Sequence, residues 1–305
     1  MTAVLTAGRK RSTAIWSAFA APGVGWLIAF FVVSIYAVMA VAFGAIDPIL
    51  KTARPEWNPL SWDSAAMSRT IDRVLHGDLG QVFVRTGAYI TVALAGCIVI
   101  GYPVAYFAAR VVKRRRGILM AALVLPFWIS YLMRMLAWTN LLQPDGYVNK
   151  VLQFFHLMDQ PRNWLNGDSY TVVIGLVYGY VPFFILPLFS SLERLDGRLL
   201  EAGRDLGASA FQTFKRITLP LSVPGLMAAS VITILPMAGD YYTNTYLTSG
   251  SPKTTMVGNQ IEFFLQRSSQ PQSGASLVLL LMACLFVLML YYLVVTIRMQ
   301  RASER

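Results

Sequence analysis

Arg134 and Asp240 are charged residues inside stretches of sequence that are otherwise apolar and long enough to cross a membrane. An ionisable side chain in such a stretch is costly, so it usually serves a function or pairs with an opposite charge. Asp240 could be the counter-charge for a cationic solute, because aromatic rings that could make cation–π contacts with amines lie near it. The candidate translocation path comprises Asp240, Tyr241, Tyr242, Arg134, Trp138 and Tyr131. The alternative is a structural ion pair between Arg134 and Asp240.

Patterns typical of catalysis, metal binding and nucleotide binding are missing. His76 and His156 are far from any His or Cys at ligand spacing. None of the six lysines follows a glycine, as a phosphate-binding P-loop requires. No serine lies in a G-x-S-x-G or S-x-x-K frame. We therefore predict no catalytic residue, no metal site and no cofactor in this chain, and an intramembrane enzyme is disfavoured.

The composition places these residues in a membrane protein. The 305 residues are 56% hydrophobic and 13% charged, whereas soluble domains are about 25% charged. Apolar stretches of about 20 residues, enough to cross a bilayer, predict six spans. These are Pro22 to Gly44, Thr86 to Ala109, Ile118 to Leu142, Tyr170 to Ser190, Ser222 to Leu247 and Ala275 to Ile297. At 1.5 Å per residue, Arg134 and Asp240 would lie at one depth, about 24 Å from the inner edge.

The net charge of +11 could suggest nucleic-acid binding, but in a membrane protein it is better explained by basic cytoplasmic loops. With the N-terminus inside, the inner segments hold sixteen of the 26 basic residues and the outer segments nine. The inner residues are Arg9, Lys10, Arg11, Arg110, Lys113, Arg114, Arg115, Arg116, Arg194, Arg198, Arg204, Lys215, Arg216, Arg298, Arg301 and Arg305. We predict that both termini are cytoplasmic and that the chain binds no nucleic acid.

The predicted cytoplasmic loop from Leu192 to Gly225 differs from the others because its sequence predicts two short amphipathic helices. Asp196 can cap the first helix, and Gly207 suits a left-handed C-terminal cap. Ser209 and Gln212 have the spacing of a capping box for the second helix. Apolar side chains at a water-facing surface favour a protein partner, although such a loop could also lie on the lipid surface.

Within this loop, the run Glu201-Ala202-Gly203, then Gly207, then Leu219-Pro220, resembles the EAA motif of the permease subunits of bacterial ABC importers. Gly203 departs from the alanine of that motif. The resemblance implies that the loop forms a coupling helix that contacts an ATPase subunit. The residues it assigns to this contact are Glu201, Ala202, Gly203, Gly207, Ser209, Ala210, Phe211 and Phe214.

The resemblance extends over most of the chain and is closest to spermidine/putrescine-type permeases. The matching stretches are Gly101 to Tyr106, Leu125 to Trp128, Arg134, Leu192 to Asp196 and Gly239 to Tyr241. The family implies an ATPase dimer that binds ATP and Mg²⁺, a second permease forming a heterodimer, and an extracytoplasmic solute-binding protein. It also implies alternating access in the bacterial inner membrane. An importer for an organic anion, an opine or a phosphonate remains open, as does an ion channel.

We therefore predict an all-α membrane protein with six transmembrane helices and a cytoplasmic coupling helix. Residues 1–85 would hold a cytoplasmic segment, the first span and an outer loop. Residues 86–297 would form a five-helix permease core that includes the loop at 192–225, and residues 298–305 a cytoplasmic tail.

Overall fold

The computed structural model describes residues 2–49, 52–112, 114–267 and 270–303. Lys51, one of the nine basic residues of the predicted outer segments, lies outside the described residues, as do Lys113 and Arg305 of the inner segments. The helices are α1 (Thr2–Ala42), α2 (Ala65–Leu75), α3 (Asp78–Tyr106), α4 (Arg116–Val124), α5 (Tyr131–Leu142), α6 (Tyr147–Phe154), α7 (Ser169–Glu193), α8 (Gly197–Asp205), α9 (Ala210–Thr213), α10 (Leu219–Ala238), α11 (Tyr242–Leu247), α12 (Val257–Glu262) and α13 (Pro271–Ser303). The strands β1 (Ala45–Ile46) and β2 (Ala53–Arg54) form one antiparallel pair.

Among the residues that the structure describes, five helices are long and apolar enough to cross a membrane, and they match five of the six predicted spans. They are Phe19–Ala42, Asp78–Val111, Ser169–Glu193, Ala210–Ala238 and Pro271–Met299. A bent pair of helices, Arg116–Trp128 with Tyr131–Leu142, provides the sixth if it is one span.

The chain divides into two compact units, and the first comprises Met1–Ile71 with Phe264–Leu279. Aromatic packing holds the segment after α1: the ring of Phe43 stacks on that of Trp62 at 5.0 Å, and Tyr36 lies 6.1 Å from the same ring. The indole of Trp62 donates to the carbonyl of Glu56 over 2.8 Å. These contacts fold the segment after β2 back against the end of α1.

The second unit, Asp72–Phe263 with Leu280–Arg305, has its core where α3 and α10 pack on α7. Two glycines allow these helices to approach closely. A Cβ on Gly101 of α3 would lie 2.7 Å from the ring of Phe184, and one on Gly225 of α10 would lie 2.1 Å from the hydroxyl of Ser191. The hydroxyl groups of Tyr102 and Ser222 share a hydrogen bond of 2.7 Å between α3 and α10.

The prediction of one continuous third helix is wrong. After α4 the chain forms a 3-10 segment at Leu125–Trp128, is extended at Ile129, and resumes as α5 at an angle of 84°. Pro126 contributes to the break, because it lacks the backbone N–H that would bond to the carbonyl of Ala122 in a continuous helix. The break matters because it positions Tyr131 and Arg134 in the first turn of a new helix.

The two ends of the bent pair lie near the two ends of α7. At one end, Arg116 in α4 forms a 2.7 Å ion pair with Glu193, the last residue of α7. At the other end, Leu142 of α5 belongs to the apolar cluster against which Trp164 packs. The carbonyl of Trp164 accepts a hydrogen bond of 2.8 Å from Thr171, in the first turn of α7. The pair is therefore a sixth candidate span beside the five continuous helices.

The fifth span, expected from Ser222 to Leu247, also differs from the prediction. Its helix α10 ends at Ala238, and the chain resumes as the short helix α11. Pro236 removes a backbone donor near the end of α10, and Gly239 follows as the terminal residue. Asp240 therefore lies in a break between two helices and not within a helix.

Contacts at the two ends of the second unit agree with the prediction that successive loops alternate between the two sides of the membrane. At one end the guanidinium of Arg110 donates to the carbonyl of Leu195 over 2.6 Å. At the other end the hydroxyl groups of Tyr89 and Ser169 lie 2.8 Å apart, and Arg85 donates to the carbonyl of Thr255 over 3.0 Å. The loops predicted to share a side are thus in contact within this unit.

Candidate functional site

Asp240 is 4% exposed and accepts hydrogen bonds from two residues of neighbouring helices. The hydroxyl of Tyr131 donates to its carboxylate over 2.9 Å. The backbone N–H of Thr243 donates over 3.1 Å, and the hydroxyl of Thr243 donates to the other carboxylate oxygen over 2.5 Å. Asp240 thereby satisfies a free N–H group in the first turn of α11 and links that turn to α5.

Arg134 is 8% exposed and is surrounded by aromatic rings. Its guanidinium carbon lies 4.2 Å from the ring centroid of Phe127, 5.1 Å from that of Tyr131 and 6.0 Å from that of Tyr178. Its Nε and Nη1 atoms are buried without a hydrogen-bond partner in the described chain. Among the described residues it forms no ion pair, so the anticipated pairing with Asp240 is not present.

Tyr131 connects the two charged groups, since its ring faces Arg134 and its hydroxyl binds Asp240. A Cβ on Gly179 of α7 would lie 2.7 Å from this ring, so the glycine leaves the space that Tyr131 occupies. One side chain thus contacts both charged residues. The prediction that Arg134 and Asp240 lie at one depth counted residues along two continuous helices, both of which break in the structure, so it stays a prediction.

Tyrosine rings extend from Tyr131 in two directions. Tyr242 lies 6.1 Å from Tyr131, stacks on Tyr241 at 4.1 Å and lies 6.3 Å from Tyr246. Tyr180 lies 5.6 Å from Tyr131 on the side of α7. The structure therefore brings together Tyr131, Tyr241 and Tyr242 with Asp240, as the candidate path requires.

Trp138 is one step removed from this cluster, because its ring packs on Tyr178 at 5.1 Å and not on Tyr131. The sequence analysis missed four residues that complete the site: Phe127, Tyr178, Tyr180 and Thr243. Tyr178-Gly179-Tyr180 carried a usable signal, because two aromatic residues with polar tips flank a small residue inside an apolar span.

A second candidate site is the loop from Leu192 to Gly225, called the EAA-like loop below. It contains α8, α9 and the run Glu201-Ala202-Gly203 that resembles the EAA motif. Asp196 caps α8 by accepting from the N–H of Arg198 over 3.0 Å. Gly207 has φ +83°, and the N–H of Ala208 donates to the carbonyl of Gly203 over 3.1 Å, which is a Schellman-type helix end. The predicted N-terminal and C-terminal caps of this helix are both confirmed.

The capping box at Ser209 is also confirmed. The side chain of Ser209 accepts from the N–H of Gln212 over 3.2 Å, and the N–H of Ser209 donates to the side chain of Gln212 over 2.9 Å. The prediction of a separate second helix is wrong. A π-helical segment at Phe214–Thr218 joins α9 directly to α10, so α9 is the start of the fifth spanning helix.

The side chains of the loop fall into an outward and an inward set. The outward set includes Leu206 at 89% exposed, Phe211 at 71% and Leu199 at 49%. Glu201, Ala202, Ser209 and Ala210 are also exposed. The ring of Phe214 faces inward, where it makes edge contacts at 5.7 Å with Tyr102 and 5.8 Å with Tyr106.

Gly203 lies where α8 meets the π-helical segment. A Cβ at this position would approach the Cδ1 atom of Ile217 to 2.6 Å. This contact gives a physical reason for glycine where the EAA motif has alanine.

Within the described residues, no three His, Cys, Asp or Glu side chains cluster in a way that could hold a metal ion. Cys97 and Cys284 are both free. The two candidate sites are therefore a buried cluster of charges and tyrosines within the spanning helices, and a capped helix pair that exposes apolar side chains at one end of them.

The fold is shared with chains of crystallised ABC transporters. The fold matches that of a crystallised bacterial alginate ABC transporter in complex with a periplasmic protein, with a TM-score of 0.65 over 91% of this chain and 92% of that chain, at 15% identity. A second structure of an alginate-importing transporter matches with a TM-score of 0.57, at 17% identity, over 93% of this chain and 96% of the other.

The chain belongs to the family of binding-protein-dependent transport system inner membrane components, whose model matches residues 98–302. The spermidine/putrescine transport system permease protein PotB of Escherichia coli (strain K12) is 38% identical over 202 residues, which are 66% of this chain and 72% of that protein. PotB of Haemophilus influenzae is 39% identical over 197 residues, covering 64% of this chain and 68% of PotB. The chain is a multi-pass inner membrane permease subunit of an ABC importer.

Proposed function

We propose that this permease imports a polyamine of the spermidine or putrescine type. The observation that carries the proposal is the group of stacked tyrosines beside the carboxylate of Asp240, because aromatic faces and a carboxylate are the groups that bind alkylammonium ions. The names of the 38–39% identical relatives support the same solute class.

In this proposal the solute passes along Tyr241, Tyr242 and Tyr131, with Trp138 further along the path. Asp240 is 4% exposed, so an ammonium group would first contact the tyrosine rings. The carboxylate would attract it electrostatically from behind these rings. A rearrangement of the break between α10 and α11 would then bring the carboxylate into contact with the solute. Such a rearrangement fits alternating access, which the family resemblance implies.

The partners in the proposal are an ATPase dimer, a second permease and an extracytoplasmic solute-binding protein. The ATPase would bind ATP and Mg²⁺, since no lysine of this chain follows a glycine as a P-loop requires. Its contact would be the exposed face of the EAA-like loop, centred on Glu201, Leu206 and Phe211. Both termini and this loop would lie in the cytoplasm.

The proposal is tested by reconstituting the chain with its companion permease, ATPase and binding protein in vesicles and measuring uptake of labelled spermidine and putrescine. We expect uptake that requires ATP and the binding protein. An ATPase whose P-loop lysine is replaced serves as the control. Uptake of an anionic solute in place of polyamines would contradict the solute class, and conduction without the ATPase would indicate a channel.

The role of Asp240 is tested by Asp240→Asn, with uptake and assembly measured separately. Asparagine keeps a carbonyl oxygen that can accept from the N–H of Thr243, so the first turn of α11 should remain capped. We expect uptake to fall at least tenfold in a complex that still assembles. Normal uptake would show that the carboxylate does not act on the solute.

A further inference from the structure

The short helix α6 carries apolar side chains on its exposed side. Tyr147, Val151 and Phe154 recur at the spacing of one helical face, and they are 70%, 51% and 77% exposed. Phe155, the residue after the helix, extends this face and is 63% exposed. These four residues form the apolar face of α6. The opposite side holds Asn149, which is 1% exposed. A helix bordered by water has the reverse arrangement, so the apolar face of α6 suits an apolar environment.

Hydrogen bonds hold the polar side of α6 against the loop that precedes α7. The amide nitrogen of Asn149 donates to the carbonyls of Gln143 and Arg162 over 2.9 and 2.8 Å. Its side-chain oxygen accepts from the indole of Trp164 over 2.9 Å. These bonds determine which side of α6 packs on the protein, because turning the apolar face inward would leave the buried amide without partners.

The connection between α6 and α7 gives the level of α6 in the membrane. The carbonyl of Trp164, whose indole binds Asn149, accepts a hydrogen bond of 2.8 Å from Thr171 in the first turn of α7. The 25 residues of α7 extend over about 37 Å. If α7 is centred in a hydrocarbon core about 30 Å thick, each of its ends extends about 4 Å beyond the core. The first turn of α7 and the adjoining α6 are therefore at the boundary between hydrocarbon and lipid headgroups.

The composition of α6 favours lipid as the molecule that covers its apolar face. Tyrosine is enriched at this boundary, where its ring lies in the apolar zone and its hydroxyl reaches the headgroups. Lys150 is exposed beside the apolar face, and its ammonium lies 5.3 Å from the ring of Tyr147. A lysine at this depth can extend its charge toward lipid phosphate. The sequence of α6 contains no acidic residue that would repel phosphate.

We propose that the apolar face of α6 lies in the lipid leaflet at the end of α7 remote from the EAA-like loop, and that α6 thereby anchors the end of α5. Four residues, 143–146, join α5 to α6, so the two helices stay close together. Leu142 of α5 and Val148 of α6 also pack in one apolar cluster. The anchored helix is the one that carries Tyr131 and Arg134. The inference does not depend on which solute is transported.

The first test measures what surrounds the apolar face in the full complex, reconstituted in vesicles of phosphatidylethanolamine and phosphatidylglycerol. Val151→Cys and Phe154→Cys each receive a nitroxide label in a background that lacks Cys97 and Cys284. Electron paramagnetic resonance then measures collisions of the label with oxygen and with a polar nickel complex. Oxygen enters lipid whereas the nickel complex stays in water, so we expect a ratio of oxygen to nickel collisions about tenfold higher than at a water-facing position.

Asp159→Cys is the matched control, because Asp159 is exposed in the loop after α6 and lies outside the apolar face. Its label should collide freely with the nickel complex in the same vesicles. Nickel collisions at Val151 and Phe154 equal to those at Asp159 would overturn the inference, because the face would then lie in water. Low collision rates with both reagents, with or without the binding protein, would also overturn it, because a protein would then cover the face.

The second test addresses the anchor. Phe154→Asp puts a charge into the apolar face and should weaken its hold on lipid. We expect hydrogen exchange of the α5 amides at 136–142 to become about tenfold faster, because the end of α5 would open more often. Lys150→Asp is the matched control, since it introduces the same side chain beside the apolar face and should leave this exchange unchanged. Equal exchange in the two variants would show that the apolar face does not anchor α5.

Discussion

The phenol of Tyr131 lies between the carboxylate of Asp240 and the glycine surface of α7 at Gly179. Its hydroxyl donates to Asp240, in the break between α10 and α11, and lies 2.6 Å from the hydroxyl of Thr243 in α11. The same ring faces the guanidinium of Arg134. One residue in the first turn of α5 therefore sets the positions of both intramembrane charges.

Removing only the hydroxyl with Tyr131→Phe should destabilise the protein, because Asp240 loses a donor in a buried setting. The expected cost is about 1–3 kcal/mol, the range for a buried polar group that loses its partner. Thermal unfolding in detergent measures it. Tyr178→Phe is the matched control, since the Tyr178 hydroxyl makes no hydrogen bond within the described residues, and its unfolding temperature should not change. Equal effects of the two substitutions would contradict this role for the hydroxyl.

Gly203 and its contact with Ile217 explain a local departure from the EAA pattern. Gly203→Ala should reduce stimulation of the ATPase modestly, because the new Cβ meets the far end of a side chain that can move. Adding Ile217→Val removes the contacting methyl group and should restore stimulation. ATP hydrolysis by the reconstituted complex is the measurement. A loss of stimulation that Ile217→Val does not relieve would show that Gly203→Ala acts through a different contact.

At the scale of helices, the close packing of α10 on α7 depends on a residue without a side chain. Gly225→Ala should strongly destabilise the second unit, because its Cβ would overlap Ser191 at 2.1–2.2 Å. Gly87→Ala in α3 is the control: a Cβ there meets nothing within 4 Å, and alanine favours helix by about 1 kcal/mol. Thermal unfolding of the two variants should shift in opposite directions, and a shared direction would contradict the packing argument.

The capping box at the start of α9 supports both the loop and the fifth spanning helix. Ser209→Ala removes an acceptor for the N–H of Gln212 and should cost about 1 kcal/mol of helix stability. Ser209→Asp keeps an acceptor and should retain most of the stability. Hydrogen exchange of the amides at 210–213 measures the effect, and unchanged protection in the alanine variant would show that the cap is dispensable.

At the scale of the whole molecule, the ends of the spanning helices are expected to lie on opposite sides of the membrane. In a Cys97→Ala, Cys284→Ala background, we expect Glu201→Cys to react with a membrane-impermeant maleimide only from the cytoplasmic side. Lys150→Cys, also exposed, should react only from the outside. Labelling of both positions from one side would contradict the predicted topology. This test does not depend on which solute the protein transports.

The sequence by itself determined the positions of the apolar stretches, the helix caps and the family, but not the breaks within the third and fifth spans. These depend on local properties: apolar length predicts a crossing, Ser209 with Gln212 predicts a cap three residues away, and the EAA-like run is contiguous. All of these patterns involve residues that are close together in the sequence, so they can be interpreted without knowing which helices are in contact.

Only the tertiary structure decided which partner each charge has. Asp240 is satisfied by Tyr131, which is 109 residues away, and Arg134 is left among aromatic rings without an acceptor in the described chain. The breaks after Pro126 and Pro236 allowed this, since they place the starts of α5 and α11 beside each other. Hydrogen bonding at buried sites depends on packing between distant segments, and residue spacing along a single helix does not encode that packing.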